Sequence, residues 1–415
     1  MTVRIQLYFD KLIRPIVSFL NIFVRLLGLV LKIDHSLENK KFKTIAVCKF
    51  KGIGSIIQAT PMLKTLRENF PEAKIIFVTT KPNKAILGKI KYIDEVITID
   101  DSGFFKMIIG FPIFIVRLIS SRIRVYIDLE IYSNFSSLVT LMSLSKNRTG
   151  FYSRSSNYRM GNFTHMMFFN IQAPIYQTYL QMTRLFKCKN IFTGLYCFES
   201  DIAFLKSEPV TLDLRNTKYI VVNPNASDLR IERRWHKSNF IETINRIVSL
   251  HPEYQVYFIG SKSERVYVEE IVNTIDLPNV FSLAGKTNLD ELIAVITHAS
   301  LMISNDSGPY HLAVAQKTPV VGLFGPCSPS QYGNYGNSYT IYKHIYCSPC
   351  VHEFSISPCN GNNVCMQLIS PEEVLERAGL LLKCVFPDTQ SKKDGIIYDH
   401  FNNPLGLVHR GRGQQ

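Results

Sequence analysis

Tryptophan is nearly absent, one residue in 415, and carboxylates are outnumbered: 33 Asp and Glu stand against 47 Lys and Arg, a formal charge of +14. That shortage of negative charge excludes an acidic, solvating chain. It favours an anionic partner, whether nucleic acid, an acidic membrane face or a phosphorylated substrate. No apolar stretch reaches about 20 residues without a charge, which excludes a bundle of membrane-spanning helices. No short-period repeat is present, which excludes a solenoid or propeller. Gly 22 and Pro 19 are ordinary counts, and 46% hydrophobic residues exclude a collagen-like or disordered chain. The nine cysteines are an odd total, and no small-residue cleavage site follows the N-terminal apolar segment. Both argue for a reducing compartment and against a disulfide framework.

What is present begins with residues 12–31, LIRPIVSFLNIFVRLLGLVL. Lys11, Arg14, Ser18, Asn21, Arg25 and Lys32 fall at steps of three, four and seven, on one stripe of a helix that is otherwise apolar. The spacing predicts an amphipathic helix with Pro15 in its first turn. Such a helix suits a membrane surface, with apolar area in the acyl boundary and cations among anionic head groups. Packing on the protein's own body, or on a second copy, is the alternative. Arg25 argues against a spanning role. Residues 104–122 repeat the pattern, with Lys106, Gly110, Arg117 and Ser121 near one stripe. There a sheet-covering helix kinked at Pro112 is the favoured reading.

The rest is long enough for two domains of about 150–200 residues. Strand-like runs at 44–50, 74–80, 94–99 and 123–129 alternate with helical stretches such as 55–69. Residues 145–215 are irregular, rich in Tyr, Asn and Ser. The alternation then restarts, with strands at 219–223, 255–260, 280–285, 301–305 and 319–325 and helices at 237–250, 263–275, 288–298 and 309–316. Thr287 with Asp290 makes a capping box. This pattern predicts an α/β chain of two doubly wound, Rossmann-like domains facing a cleft. Their expected extents are 44–210 and 211–385, after a helix and basic linker over 1–43 and before a flexible tail over 386–415.

Ligands of open parallel sheets sit at the carboxyl ends of strands, so the strand-to-helix turns are the candidate sites. Residues 304–311, SNDSGPYH, lead through Asp306, Ser307 and Gly308 into Pro309 at a helix start, an anion site suited to a phosphate. His311, one turn in, is placed to donate to a phosphate oxygen. Helix capping by Asp306 or Ser307 is the structural alternative. Residues 223–236 carry Ser227 after a turn signal, then Arg230, Arg233 and Arg234, guanidinium groups able to neutralise a diphosphate. In 49–55, KFKGIGS, Gly52 and Gly54 permit a tight turn and close backbone approach before a helix.

Taken in order, K-x-x-G-I-G-S-I-x-x-x-T-P-M-L-x-x-L-R-x-x-F-P, N-P-N-A-S with its Arg-Trp segment, SLAGKTNLDEL and SNDSGPYHLAVAQKTPVVGLFGP resemble glycosyltransferase family 9, the ADP-heptose:lipopolysaccharide heptosyltransferases. The likeness runs over roughly residues 44–380. It implies the GT-B architecture, an acceptor-binding N-terminal domain, a nucleotide-sugar-binding C-terminal domain and metal-independent inversion at the anomeric carbon. By position it assigns Asp306, Ser307, Gly308 and His311 to the nucleotide diphosphate, Arg233 to a phosphate contact, Ser227 to the phosphate-facing turn and Glu264 to the ribose, with Arg234 kept as a candidate from the arginine cluster alone. Many family members carry an aspartate, their proposed general base, where this chain has Ser55. A serine cannot accept a proton as a carboxylate can. Glu130, with Asp128, at the end of the 123–129 strand is the nearest replacement.

Cys347, Cys350, Cys359 and Cys365, spaced C-x2-C-x8-C-x5-C with His344 and His352 close by, are the candidate ligands of a structural zinc ion. Reduced, unmetallated thiols are the alternative. No nucleic-acid-binding motif accompanies the basic charge. The expected protein is thus a peripheral glycosyltransferase at the cytoplasmic face of the inner membrane. Its donor would be a nucleotide-diphosphate sugar, ADP-linked by resemblance, and its acceptor a lipid-linked glycan such as lipopolysaccharide. A non-catalytic nucleotide-sugar-binding partner that has lost its base is the rival.

Overall fold

The computed structural model describes residues 3–37, 41–207, 210–226, 230–333, 335–351, 357 and 359–383. Ser227, His352 and the 386–415 tail lie outside these. The first sheet has six strands, β1 (Thr44–Cys48), β2 (Lys74–Thr80), β3 (Glu95–Ile99), β4 (Val125–Asp128), β5 (Asn147–Tyr152) and β6 (His165–Phe168). They lie in the order 3-2-1-4-5-6, every pair parallel. A short antiparallel pair, β7 (Phe204–Ser207) with β8 (Val210–Asp213), follows. The second sheet repeats the plan with β9 (Tyr219–Asn223), β10 (Gln255–Phe258), β11 (Val280–Ser282), β12 (Leu301–Asn305), β13 (Val320–Phe324) and β14 (Ser338–Tyr342), ordered 11-10-9-12-13-14 and all parallel. The central strands are buried on both faces, as a helix-covered parallel sheet requires.

The helices of the first half are α1 (Val3–Leu31), α2 (Ile53–Asn69), α3 (Lys84–Leu87), α4 (Phe104–Ser120), α5 (Asn134–Met142) and α6 (Ile175–Leu180). Those of the second are α7 (Lys237–Leu250), α8 (Arg265–Ile275), α9 (Leu289–Thr297), α10 (Gly308–Ala315), α11 (Pro329–Tyr332), α12 (Val364–Gln367) and α13 (Pro371–Leu382). The α9 start slips one residue from the expected capping box. Asn288 caps it, accepting from the Glu291 N–H at 3.0 Å while the Glu291 carboxylate accepts from the Asn288 N–H at 2.8 Å. The shorter Asp290 does not enter. The irregular 145–215 region supplies β5 and β6 and the β7–β8 hairpin.

Pro15 lies inside α1, not in its first turn. The helix starts earlier, and Pro15 sits on its exposed side, at the cost of one backbone hydrogen bond. By length and composition Leu12–Leu31 could cross a bilayer despite Arg25. Here, however, α1 lies along the body of the protein, and its polar stripe takes part in the docking. Arg14 stacks over Tyr158 at 4.5 Å, and the Asn21 amide donates to the Tyr158 carbonyl at 2.7 Å. Val17 is fully buried, whereas Phe19, Phe23 and Leu26 face outward.

Candidate active site

In each sheet the strand order reverses beside the first strand, and there the crevice of a doubly wound fold opens. In the first sheet this switch point lies between β1 and β4. Lys49 leaves β1 and Glu130 leaves β4, and the Lys49 ammonium donates to Glu130 Oε2 at 2.7 Å. Glu130 Oε1 accepts the N–H groups of Phe50 and Lys51 at 2.9 and 3.3 Å. Burial opposes ionisation of Glu130, but the Lys49 charge and these bonds outweigh it and hold the carboxyl below its usual range. Lys49 is held above its own for the same reason, its burial overcome by Glu130. Thr79 and Asn83, from the end of β2, donate to the Lys49 and Phe50 carbonyls at 2.7 and 2.8 Å and fix the loop.

Asp128 does not reach this crevice. It is wholly buried, paired with Arg159 at 2.7 Å, and it accepts from the Ser136 hydroxyl at 2.8 Å and the Glu130 N–H at 2.9 Å. Its role is to set the turn that carries Glu130, and the expectation that it serves as a proton acceptor is corrected. A fully enclosed, fully bonded carboxylate has no path to a substrate hydroxyl.

The second switch point lies between β9 and β12. Asn223 donates to the Ser307 hydroxyl at 2.7 Å, and Asn305 donates to the Pro224 carbonyl at 2.9 Å while accepting from the Trp235 N–H at 3.1 Å. The single tryptophan is fully buried, its indole N–H on the Ile369 carbonyl at 2.9 Å. These bonds hold Pro224 and Trp235 against β12 and set Arg233 opposite Asp306, Nη1 to Oδ2 3.3 Å. Burial alone would raise the Asp306 carboxyl. Arg233, then His311 and the Cys327 thiol, pull it down to about 2.

Ser307 is the N-cap of α10, yet no side chain caps the helix. Its hydroxyl is engaged with Asn223 instead; Pro309 has no N–H and the His311 N–H returns to the Ser307 carbonyl at 3.4 Å, so the Gly308 and Tyr310 N–H groups are the ones left to meet an anion. Among the described residues the buried Nε donors of Arg233 and Arg234 have no acceptor. The Arg234 guanidinium lies over Tyr267 at 4.7 Å and donates to the Ala226 carbonyl at 3.5 Å. Glu264 forms a capping box, its Oε2 accepting from the N–H and hydroxyl of Ser261, both at 2.8 Å.

The two switch points meet. Gly52, at φ +89°, turns the chain into α2, and a Cβ on Gly54 would overlap the His311 ring. The Gln58 amide lies 3.2 Å from His311 Nδ1, and His311 Nε2 lies 3.6 Å from Asp306. Ser55 hydrogen-bonds Tyr179, and the partly buried Tyr332 ring lies 6.4 Å from that of His311. Lys49, Gln58, Tyr179, Cys327 and Tyr332 were not singled out in the sequence. Only Lys49 carried a signal, its place at the end of the first strand.

The four cysteines line one cavity of about 170 Å³ beside Pro326. Burial pushes the Cys365 thiol up to about 12 and raises that of Cys350. Among the described residues no three His, Cys, Asp or Glu side chains are disposed to grip one ion.

A model of glycosyltransferase family 9 (heptosyltransferase) matches residues 129–360, more than half of the chain. Lipopolysaccharide heptosyltransferase 3 of Escherichia coli (strain K12) is 28% identical over 283 residues, 66% of this chain and 79% of that protein. Lipooligosaccharide heptosyltransferase 2 of Campylobacter jejuni is 25% identical over 337 residues, 80% of this chain and 96% of the relative. Among solved structures, the E. coli ADP-heptose lps heptosyltransferase II superposes with a TM-score of 0.63 at 21% identity, covering 82% of this chain and 98% of the other.

Proposed function

The chain belongs to glycosyltransferase family 9, the heptosyltransferases, and on that footing we propose that it moves a heptose from an ADP-linked donor to a lipopolysaccharide acceptor, with inversion, across a GT-B cleft. The observation that carries this reading is the apposition of the two switch points, with an uncapped α10 start and an acceptor-less Arg233 Nε on one side and Lys49–Glu130 on the other. The diphosphate is held by the α10 N–H groups and Arg233. The ribose meets Glu264 Oε1, the oxygen its capping box leaves over. The acceptor oxygen attacks the anomeric carbon from the face opposite the diphosphate, and the bond to the diphosphate oxygen breaks. Glu130 takes the hydroxyl proton, and the leaving charge falls on Arg233 and α10, which serve without a metal.

The test is a thermal-shift series with ADP, UDP, GDP and CMP, followed by ADP release from ADP-heptose with a heptose-deficient lipooligosaccharide. Stabilisation by ADP alone, abolished in Asp306→Ala, with acceptor-dependent release, is the expected result. Tight ADP binding without release for any acceptor would favour a nucleotide-sugar-binding partner that has lost its chemistry.

Two further assignments accompany this reading. The protein lies peripherally at the cytoplasmic face of the inner membrane, with α1 flat in the interface. Support comes from the docking of its polar stripe on the 154–162 segment, which leaves the apolar side outward. The cysteine loop is the seat of a structural zinc ion. Four soft donors around one cavity suit zinc in type, although the side chains must close in on it and shed their protons. Elemental analysis is expected to find about one zinc per chain, lost in Cys350→Ser/Cys365→Ser. A metal-free wild type would leave these residues as reduced thiols.

A further inference from the structure

A helix that covers a sheet needs one apolar stripe, and α4 has two. Phe114, Ile115 and Leu118 are buried on the sheet, while Phe105, Ile109 and Ile113 on the opposite side are 71–76% exposed, with Ile108 and Val116 beside them. Residues 104–124 contain no acid and four bases, Lys106, Arg117, Arg122 and Arg124, of which Arg117 is paired with Glu95 at 2.7 Å. Residues 1–43 carry eight bases against three acids. Helices α1 and α4 therefore share an outward apolar face and a basic charge. Soluble monomers rarely expose so much contiguous apolar surface without using it.

The two helices flank α5. Asp10 of α1 accepts from the Asn134 and Phe135 N–H groups at 3.1 and 2.9 Å, at the start of α5. From the α4 side, Phe111 meets Phe135 of α5 at 5.9 Å, and Phe135 in turn meets Phe50 of the first loop at 5.1 Å. Both contacts converge on the edge of the sheet that carries Lys49 and Glu130, and α4 starts five residues after β3 ends there.

We propose that α1 and α4 together form one seat for an anionic lipid bilayer, with the first turn of α4 immersed beside the 49–55 loop. Apolar side chains of both helices enter the acyl boundary, and the exposed Lys32, Lys106, Arg122 and Arg124 meet lipid phosphates. The use of the seat rests on the lipid-linked acceptor proposed above: its sugar would reach Glu130 without leaving the membrane surface. The physical contact with lipid does not depend on that reading.

The experiment is co-sedimentation of the full chain with phosphatidylcholine vesicles, with and without phosphatidylglycerol, at low and high salt. Binding is expected to require phosphatidylglycerol and to weaken with salt. Ile109→Glu/Ile113→Glu and, separately, Phe19→Glu/Phe23→Glu should each weaken it about tenfold or more. These positions are exposed, so the unfolding temperature should stay at the wild-type value. ADP release with a detergent-dispersed acceptor should be unchanged in the α4 variant. Vesicle binding by the α4 variant equal to wild type, while the α1 variant lets go, would overturn the proposal. So would a lipid-free dimer that the α4 variant dissociates, because the face would then belong to a second copy. Absence of ADP release from the wild type, with vesicle binding as expected, would remove the transferase reading and leave the seat.

Discussion

Glu130→Gln is expected to lower kcat by about 10²–10³-fold, with ADP affinity unchanged. The amide keeps the size and the bonds from Phe50 and Lys51 but cannot accept the hydroxyl proton. Glu130 also answers the buried Lys49 charge, and breaking one partner of a buried pair is destabilising by about 3–5 kcal/mol. A rate loss could therefore reflect a damaged loop. The double variant Lys49→Gln/Glu130→Gln separates the two: it removes the stranded charge and should recover much of the thermal stability, but none of the rate. Recovery of both would make Glu130 a positioning residue. The pH profile adds a second readout. Lys49 holds the Glu130 carboxyl below its ordinary 4.5, so the active ionised form persists above that value and is lost only as pH falls through a lower one. An acidic limb of the wild-type profile above pH 4.5 would point to another group.

The central strands of both sheets were legible because strands buried on both faces read as unbroken apolar runs. Runs such as YIVVN and LMISN leave no other use for those residues. Strand β6, HMMF, escaped because an edge position relaxes that demand; β5, NRTGFY, lies between β4 and β6 and escaped because it opens on polar residues. Asn147, Arg148 and Thr149 fit β5 only because Thr164 and the Asn162 carbonyl bond Arg148. The donor half of the site was legible for a related reason. Strand, Asp-Ser-Gly-Pro and helix are contiguous, so local chemistry defines the turn. The contact across the cleft was not. Gln58 and His311 are 253 residues apart and meet only after two separate sheets dock, which no local spacing encodes. Glu130 was found by its place at a strand end, but its engagement with Lys49 required the β1–β4 pairing to be seen.

Arg233→Ala is expected to cost about 10²–10³-fold in kcat/KM, the loss typical when one preorganised donor to developing charge is removed. Its Nη1 approaches Asp306 without making a bond to Oδ2, and its Nε has no acceptor among the described residues. A diphosphate oxygen is the group that would complete both the charge and the geometry. Arg233→Lys should recover little, because an ammonium lacks the planar fork. Arg234→Ala should change kcat/KM less than tenfold: its Nε too lacks an acceptor among the described residues, but its guanidinium lies over Tyr267 and donates to the Ala226 carbonyl, and it is Arg233 that stands opposite Asp306. Acid unfolding supplies an independent check. With its carboxyl pulled to about 2 from an ordinary 3.8, Asp306 contributes stability above 3.8 that disappears as pH falls through 2. Removing Arg233 raises the folded value, so the acid midpoint should move upward in Arg233→Ala and stay in place in Arg234→Ala. A midpoint that moves while kcat/KM holds would reduce Arg233 to the counter-charge of Asp306. The leaving diphosphate would then rest on the α10 N–H groups alone.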